Sequence, residues 1–234
     1  MKPVDDLIER YYKGMPIGRR ALEHAIRSAL REGKTRALDA GCGWDAPLTR
    51  RFSNEAWVVG MDLSRQLPRD LLTICGDLGA LPFRDEAFSL IFSSSVFEHL
   101  LTPEDVLAEF HRTLQPGGLC VILTPNRYDY SSLAAKWTPQ VFHRWFVTRL
   151  YGAHAYDTFP TYYRANSPRY FEGFVREQRD KWRLRELRGL RHYPANLMFS
   201  RALFQFGIFF DSSIAKLGLR SLQPSLLVML EKTG

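Results

Sequence analysis

Leu38-Asp39-Ala40-Gly41-Cys42-Gly43-Trp44-Asp45-Ala46 is the stretch that decides how this 234-residue chain is read. It joins a short apolar strand, 35–40, to a segment that can open a helix at 46–52. Glycines at such a junction let the backbone turn sharply and let a ligand come close to the main chain. The helix that follows presents unpaired amides and the positive end of its dipole. Residues 41–46 satisfy G-x-G-x-x-G/A, the dinucleotide fingerprint, a pattern that takes its meaning from the elements around it.

Working outward, the chain before this stretch reads as helix. Leu22, Ala25, Ile26, Ala29 and Leu30 recur at helical spacing, and Gly33 sits where a helix would stop. After it, short strands alternate with helices. Strands are expected at 56–62, 71–76, 88–93 and 119–124, with Trp57, Val58 and Val59 read as a run buried on both faces of a sheet. A helix starts at Thr102 and Pro103, with Glu104 and Asp105 in its first turn. Gln115-Pro116-Gly117-Gly118 is read as the tight turn that ends it. The alternation defines an α/β fold around a parallel, doubly wound sheet. A further helix at 167–180 is capped by Ser167 with Pro168 first in the helix. Strands are expected at 182–187 and 225–230, and a long apolar helix at 196–217 is expected to be buried against the sheet.

Three acids end the first three strands. Asp62 lies 21 residues past Gly41, where a carboxylate can accept both hydroxyls of an adenosine ribose. Its other reading is a helix cap. Asp39 lies two residues before the first glycine, where a carboxylate repels a pyrophosphate and welcomes a cation. Asp77, in Ile74-Cys75-Gly76-Asp77-Leu78, can accept from an adenine amine. Together they suit a ligand with an ammonium, a sulfonium and an adenosine.

LDAGCG (38–43), VVGMDLS (58–64), GDLGALPFRDEAFSLIFSSSVFEHL (76–100) and EFHRTLQPGGLCVILTPN (109–126) stand in this order. In these blocks the chain resembles the class I S-adenosylmethionine-dependent methyltransferases, over about residues 35–126. The resemblance implies a Rossmann-like seven-stranded sheet in the order 3-2-1-4-5-7-6, its last strand antiparallel, with S-adenosylmethionine as cofactor and no metal. It implies that Gly41 and Gly43, with Cys42 between them, bed the methionine part and that Asp39 anchors the loop. Asp62 and its neighbour Leu63 would take the ribose, and Asp77 with the Leu78 amide the adenine. Ser93 or Ser94 would meet the ammonium through a backbone carbonyl. The family commonly has a third loop glycine where this chain has Asp45, which would then cap the helix or touch the ammonium.

A sulfonium already carries an activated methyl group, so the enzyme's task is to align a nucleophile and exclude water. An oxygen acceptor also needs a base. His99 in Phe97-Glu98-His99-Leu100 is the preferred candidate, beside His143, His154, Tyr162 and Tyr163; its alternative is a structural histidine at a helix entrance. Residues 127–166 are rich in aromatic and histidine side chains and follow strand five. They read as a helical, aromatic cap, with a helix at 139–150, and Tyr162, Tyr163, Arg164 and His143 are expected to bind the acceptor. The expected organisation is a single domain: N-terminal helices 1–34, a cofactor half 35–126, the cap 127–166 and the remaining sheet 167–234.

The expected reaction is methyl transfer to O or N of a small-molecule, glycan or lipid-linked acceptor, as in the quinone-biosynthesis and cell-envelope glycan enzymes that the core resembles. An RNA methyltransferase is the rival within the class. Ser93-Ser94-Ser95-Val96 lacks the Asn/Asp-Pro-Pro-Tyr pattern of base amino-methylation, and no RNA-binding module is visible, so no nucleic acid is expected. An NAD-dependent oxidoreductase and a catalytically silent methyltransferase-like binding protein are the readings from other classes.

Hydrophobic residues at 45% and charged residues at 24% exclude disordered and collagen-like chains. Cys42, Cys75 and Cys120 are scattered and form no CxxC pair, which excludes a zinc ribbon or a thioredoxin-type site. Met1 to Lys13 has no apolar core of the signal-peptide kind, and the apolar run 202–210 is bounded by Arg201 and Asp211. The expected location is cytoplasmic. Residues 1–126 carry 15 Lys and Arg against 17 Asp and Glu, whereas 127–234 carry 17 against 8. A basic half of this kind points to an anionic acceptor or peripheral contact with an anionic membrane, or else to a merely solvated face. Arg164, Arg169, Arg176, Arg179, Arg183, Arg185, Arg188 and Arg191 are the side chains expected to form it.

Overall fold

Apolar spacing sets the order of elements. In a computed structural model describing residues 4–13, 18–128, 160–192, 194, 197–198 and 200–233, helices α1 (Asp5–Tyr12) and α2 (Arg19–Arg31) come first. The i, i+3, i+4 stripe of α2 is buried: Ala21, Leu22, Ala25, Ile26 and Ala29. Strand and helix then alternate through β1 (Arg36–Ala40), α3 (Pro47–Phe52), β2 (Trp57–Asp62), β3 (Thr73–Cys75), β4 (Phe88–Ser94), α4 (Pro103–Thr113) and β5 (Leu114–Pro125). They continue through α5 (Pro168–Glu177), β6 (Trp182–Leu190), α6 (Arg201–Lys216) and β7 (Ser225–Lys232).

Among the described residues the strands form one seven-stranded sheet in the order β3-β2-β1-β4-β5-β7-β6. β7 runs antiparallel to β5 and β6, and the other pairings are parallel. This is the order and the antiparallel last strand that the resemblance implied. Both faces of the sheet are covered, as parallel strands require. Side chains alternate accordingly. Ile91, Cys120 and Ile122 pack with Phe97, Phe110 and Phe171 on one face. Leu90, Phe92, Leu119 and Val121 pack with α2 and Phe52 on the other.

The structure differs from the sequence reading in four places. β5 does not start after a turn at 115–118. Leu114 already pairs with Phe88, the pairing resumes between Leu119 and Leu90, and the glycines lie in the irregularity between. Full burial of Leu114 carries the strand back to it. Trp57 is 49% exposed rather than buried, because it opens β2 at the sheet's amino edge, where its ring stacks on Phe88. The arginines from 183 onward do not make a bare cationic face. Arg183 and Arg185 share Glu231, Arg188 pairs with Glu186, and Arg191 pairs with Asp211.

The fourth difference is α6. It is not buried against the sheet all round. Phe204, Gly207, Ile208, Asp211 and Ile214 face inward, where Phe204 and Ile208 pack on Val4, Leu7 and Tyr12 around α1. Leu203, Phe206, Phe209 and Phe210 are exposed. Among the described residues, α1 together with Pro194, Leu197 and Met198 covers only one side of the helix. No helix among the described residues is long and apolar enough to cross a membrane. Most of the 127–166 segment, including His143, His154 and the expected 139–150 helix, lies outside the described residues.

Candidate active site

Chain order reverses between β1 and β4, which lie side by side in the sheet. A crevice opens past the carboxyl ends of such strands, the usual ligand position in open α/β sheets. The residues there come from the β1–α3 loop, the ends of β2, β3, β4 and β5, and the segment that leads into α5.

Asp39 is almost wholly buried in β1, and its Oδ2 accepts from the Thr49 amide (2.9 Å) and the Thr49 hydroxyl (2.7 Å). The carboxyl thus ties the first turn of α3 to β1 and fixes the loop between them, the anchoring position expected for it. Burial pushes its pKa up to about 7 against the pull of the Thr49 hydrogen bonds. At neutral pH it is far from a full negative charge. The contrast drawn from sequence, that Asp39 would repel a pyrophosphate, therefore loses force.

The two loop glycines do different work. Gly41 has φ +80, and a Cβ added to it would lie 2.1 Å from Val96 Cγ2. Its bare face is filled by the β4 loop, not left for a ligand. Gly43 has φ +74, and the nearest atom to an added Cβ is Asp45 Oδ1 at 3.8 Å, so its face is open. Cys42 is buried, and the Gly41 and Cys42 amides both donate to the Met61 carbonyl, at 2.8 and 3.0 Å. Asp45 is not the helix cap: the N-cap of α3 is Ala46, held at φ 43 with no side-chain cap bond. A cleft of about 560 Å³ borders this loop, lined by Trp44, Asp45, Pro47 and Arg50 on one side and Gln66, Leu67 and Pro68 on the other.

Asp62 ends β2 next to this loop. Its Oδ2 accepts from the Gly43 amide and its Oδ1 from the Ser64 amide, both at 2.9 Å. Each carboxylate oxygen keeps a second lone pair for an incoming hydroxyl. The bond to Gly43 joins two positions singled out in the sequence. Leu63 beyond it is 57% exposed. Asp77 is exposed after β3 and accepts from the Gly79 amide at 2.9 Å, and the Leu78 side chain is buried in the core. Ser94 is half-buried at the end of β4, whereas the Ser93 hydroxyl is buried with no hydrogen-bond partner among the described residues.

His99 closes a 3-10 turn, Phe97–His99, just past β4. Its Nδ1 lies 3.1 Å from the Pro160 carbonyl oxygen, which can only accept, so Nδ1 carries the proton and Nε2 is the basic nitrogen. Tyr162 and Tyr163 reach the same place: their amides donate to the Glu98 carbonyl at 2.7 and 3.2 Å. Tyr162 is exposed, Tyr163 is held at φ 51, and Arg164 is exposed beside them.

The sequence reading passed over Glu98, Thr124 and Asn166. Glu98 Oε1 lies 3.9 Å from His99 Nε2, and Oε2 accepts from the Thr124 hydroxyl at 3.3 Å. Asn166 donates to Thr124 Oγ1 and to the Pro125 carbonyl, and its own Oδ1 is buried without a partner among the described residues. Burial pushes the Glu98 carboxyl above its ordinary value, with His99 pulling the other way. The signal available was a charged residue beside His99 at a strand end. Thr124 and Asn166 are ordinary polar residues until the fold stacks them on it. Among the described residues no three His, Cys, Asp or Glu side chains gather as a metal site.

An adenosine cofactor fits this edge. Asp62 has acceptor capacity to spare, Gly43 leaves its face open, and the Ser93 hydroxyl is buried without a partner among the described residues. The fold is a Rossmann-like α/β domain with its candidate site at the carboxyl edge of the sheet. Residues 38–122 match the family described as "Methyltransferase domain", so they form a class I S-adenosylmethionine-dependent methyltransferase domain. The chain is 35% identical over 115 residues to a malonyl-[acyl-carrier protein] O-methyltransferase of Laribacter hongkongensis, covering 41% of this chain and 39% of that protein. It is 31% identical over 122 residues to a sterol 24-C-methyltransferase of Pneumocystis carinii, covering 45% and 32%. The chain thus spans well under half the length of these curated relatives. The fold is shared with a solved S-adenosylmethionine dependent methyltransferase of Mesorhizobium loti at TM-score 0.54 and 16% identity, over 89% of this chain and 96% of that one.

Proposed function

We propose that the chain transfers a methyl group from S-adenosylmethionine to an oxygen or nitrogen of a small-molecule, glycan or lipid-linked acceptor. The observation that carries this is the contact between Gly43, at φ +74, and Asp62 across the carboxyl edge of the sheet. It builds an open glycine face and a carboxylate with spare lone pairs into one rigid unit. When bound, the cofactor supplies a methyl group already activated on a sulfonium. Asp62 would hold the ribose hydroxyls, Asp77 with the Leu78 amide would take the adenine, and the Ser94 carbonyl would accept from the ammonium.

His99 serves as the base toward an oxygen acceptor. Its Nδ1–H is held by the Pro160 carbonyl, and a proton taken up at Nε2 lies against the Glu98 carboxyl. Tyr162, Tyr163 and Arg164 border the acceptor side. The Laribacter relative is named for O-methylation, which supports an oxygen acceptor, while the sterol relative is named for transfer to carbon. What the two share with this chain lies in less than half of it.

Isothermal titration with S-adenosylhomocysteine and with NAD tests the reading. Wild-type protein is expected to bind S-adenosylhomocysteine and not NAD. Asp62→Ala is expected to lose about 1.5–3 kcal/mol of that binding, the range for hydrogen bonds to a charged group. Unchanged affinity in a folded Asp62→Ala protein would sink the ribose assignment. Preference for NAD would make the chain an oxidoreductase, and binding of neither ligand would make it a silent relative.

A further inference from the structure

We propose that the exposed face of α6 is a docking surface for an anionic lipid bilayer, placed at the same edge of the sheet as the active site. β6 runs parallel to β5, and Leu190 and Pro125 both pair with Ser225. The segment after β6, α6 included, therefore leaves the sheet at the carboxyl edge, where Asp62 and His99 lie. The Asn126 amide and side chain hold this segment there, bonding to the carbonyls of Pro224, Ser221 and Gln223 at 2.9 Å each.

The face itself is aromatic. Phe206 and Phe209 are 63% and 70% exposed, and the Phe206 and Phe210 rings stack with centroids 6.4 Å apart. Leu203 extends the stripe toward the helix start, and Leu217, 72% exposed, carries it past the end. At 3.6 residues per turn, Leu203, Phe206, Phe210 and Leu217 fall on one stripe, which borders the buried side formed by Phe204, Gly207, Asp211 and Ile214. A soluble partner is not needed to explain an isolated apolar residue, but a stripe of this length marks an interaction site.

Charge selects the occupant. The acid of the helix, Asp211, points inward and is held by Arg191 at 2.6 Å, so no carboxylate of α6 stands on the exposed side. Asp6, on neighbouring α1, is bound by Arg201 through two hydrogen bonds. Exposed Lys216 stands on the flank of the stripe. The half of the chain that contains the helix carries 17 basic against 8 acidic residues, so it stays net positive even though Arg183, Arg185, Arg188 and Arg191 are ion-paired. An aromatic face flanked by a lysine, with no exposed carboxylate of its own helix, suits a helix lying in the headgroup region of an anionic membrane. A second copy of this chain would bring the same positive charge against itself. The inference goes beyond methyl transfer and is read without cofactor or acceptor, so it fails or stands separately.

Co-sedimentation of the full chain with vesicles of phosphatidylcholine, with and without about one-third phosphatidylglycerol, tests it. Wild-type protein is expected to bind the anionic vesicles, less as salt is added. Phe206→Ser with Phe209→Ser is expected to weaken binding roughly tenfold or more, the scale set by withdrawing two phenyl groups from an apolar phase. Its thermal midpoint is expected to be unchanged. Gln205→Glu with Lys216→Glu, which leaves the apolar stripe alone, is expected to weaken binding about fivefold or more to the anionic vesicles. Absence of vesicle binding, or equal binding by all three proteins, overturns the proposal. So does a wild-type dimer that the serine variant converts to monomer, since a second copy would then be the occupant. A large fall in the serine variant's thermal midpoint also overturns it, because the face would then be covered from within the chain.

Discussion

Asp39→Asn is expected to remove a large part of the pH dependence of stability. Asp39 titrates from 3.8 in the unfolded chain to about 7 in the folded one. Between those values the folded state holds a proton that the unfolded state has released. Its contribution is therefore present in full below pH 3.8 and is lost as pH rises toward 7. At about 1.4 kcal/mol per pKa unit, the whole window is worth on the order of 4 kcal/mol. Asparagine keeps a carbonyl oxygen for the Thr49 amide and hydroxyl, so the β1–α3 tie survives while the titration does not. Urea unfolding of both proteins at about pH 5 and about pH 8 measures this. The variant is expected to gain on the wild type as pH rises. Parallel pH profiles would show that Asp39 is ionised in the folded protein.

Arg191→Met is expected to cost about 3–5 kcal/mol at neutral pH, the loss seen when one partner of a buried ion pair is removed. Arg191 Nε donates to Asp211 Oδ2 at 2.6 Å, Nη2 donates to the Ser212 hydroxyl at 2.9 Å, and the guanidinium stands 5.4 Å over the Tyr12 ring. Tyr12 donates to the same Asp211 oxygen at 3.3 Å. One cation thus holds the end of β6, α6 and α1 together. Burial already pushes the Asp211 carboxyl upward, with Arg191 opposing it. Without Arg191 the acid must stay protonated or drag water inward. The loss is therefore expected to shrink as pH falls, and Arg191→Met with Asp211→Leu is expected to recover most of it. A single variant within about 0.5 kcal/mol of wild type, the range of an ordinary surface change, would show that the pair is solvated.

Both predictions concern groups whose identity was plain in the sequence and whose role was not. Asp39 was singled out as an acid near a ligand. Only the packing of α3 on β1 shows it buried on Thr49 and titrating near neutrality. Asp211 was read as the boundary of an apolar run. Only the meeting of three elements makes it a buried anion.

Local chemistry determined the alternation of strand and helix, the glycine loop, Asp62 at the end of β2 and Ser167 as a cap, whose hydroxyl accepts from the Tyr170 amide at 3.2 Å. These depend on backbone sterics, on period and on spacing within a few residues, so they are written in consecutive letters. Which glycine has its face filled by the protein was not so written. Gly41 is filled by Val96, 55 positions away in sequence, and Gly43 is left open. The same holds for the Glu98–Thr124–Asn166 cluster behind His99, which exists because β4, β5 and the start of α5 end at one edge. It holds for α6, whose aromatic residues looked like core in the sequence. Periodicity shows that a helix is apolar; only the tertiary structure decides how much of it has something to pack against. Here α1 covers one side and leaves Phe206 and Phe209 exposed.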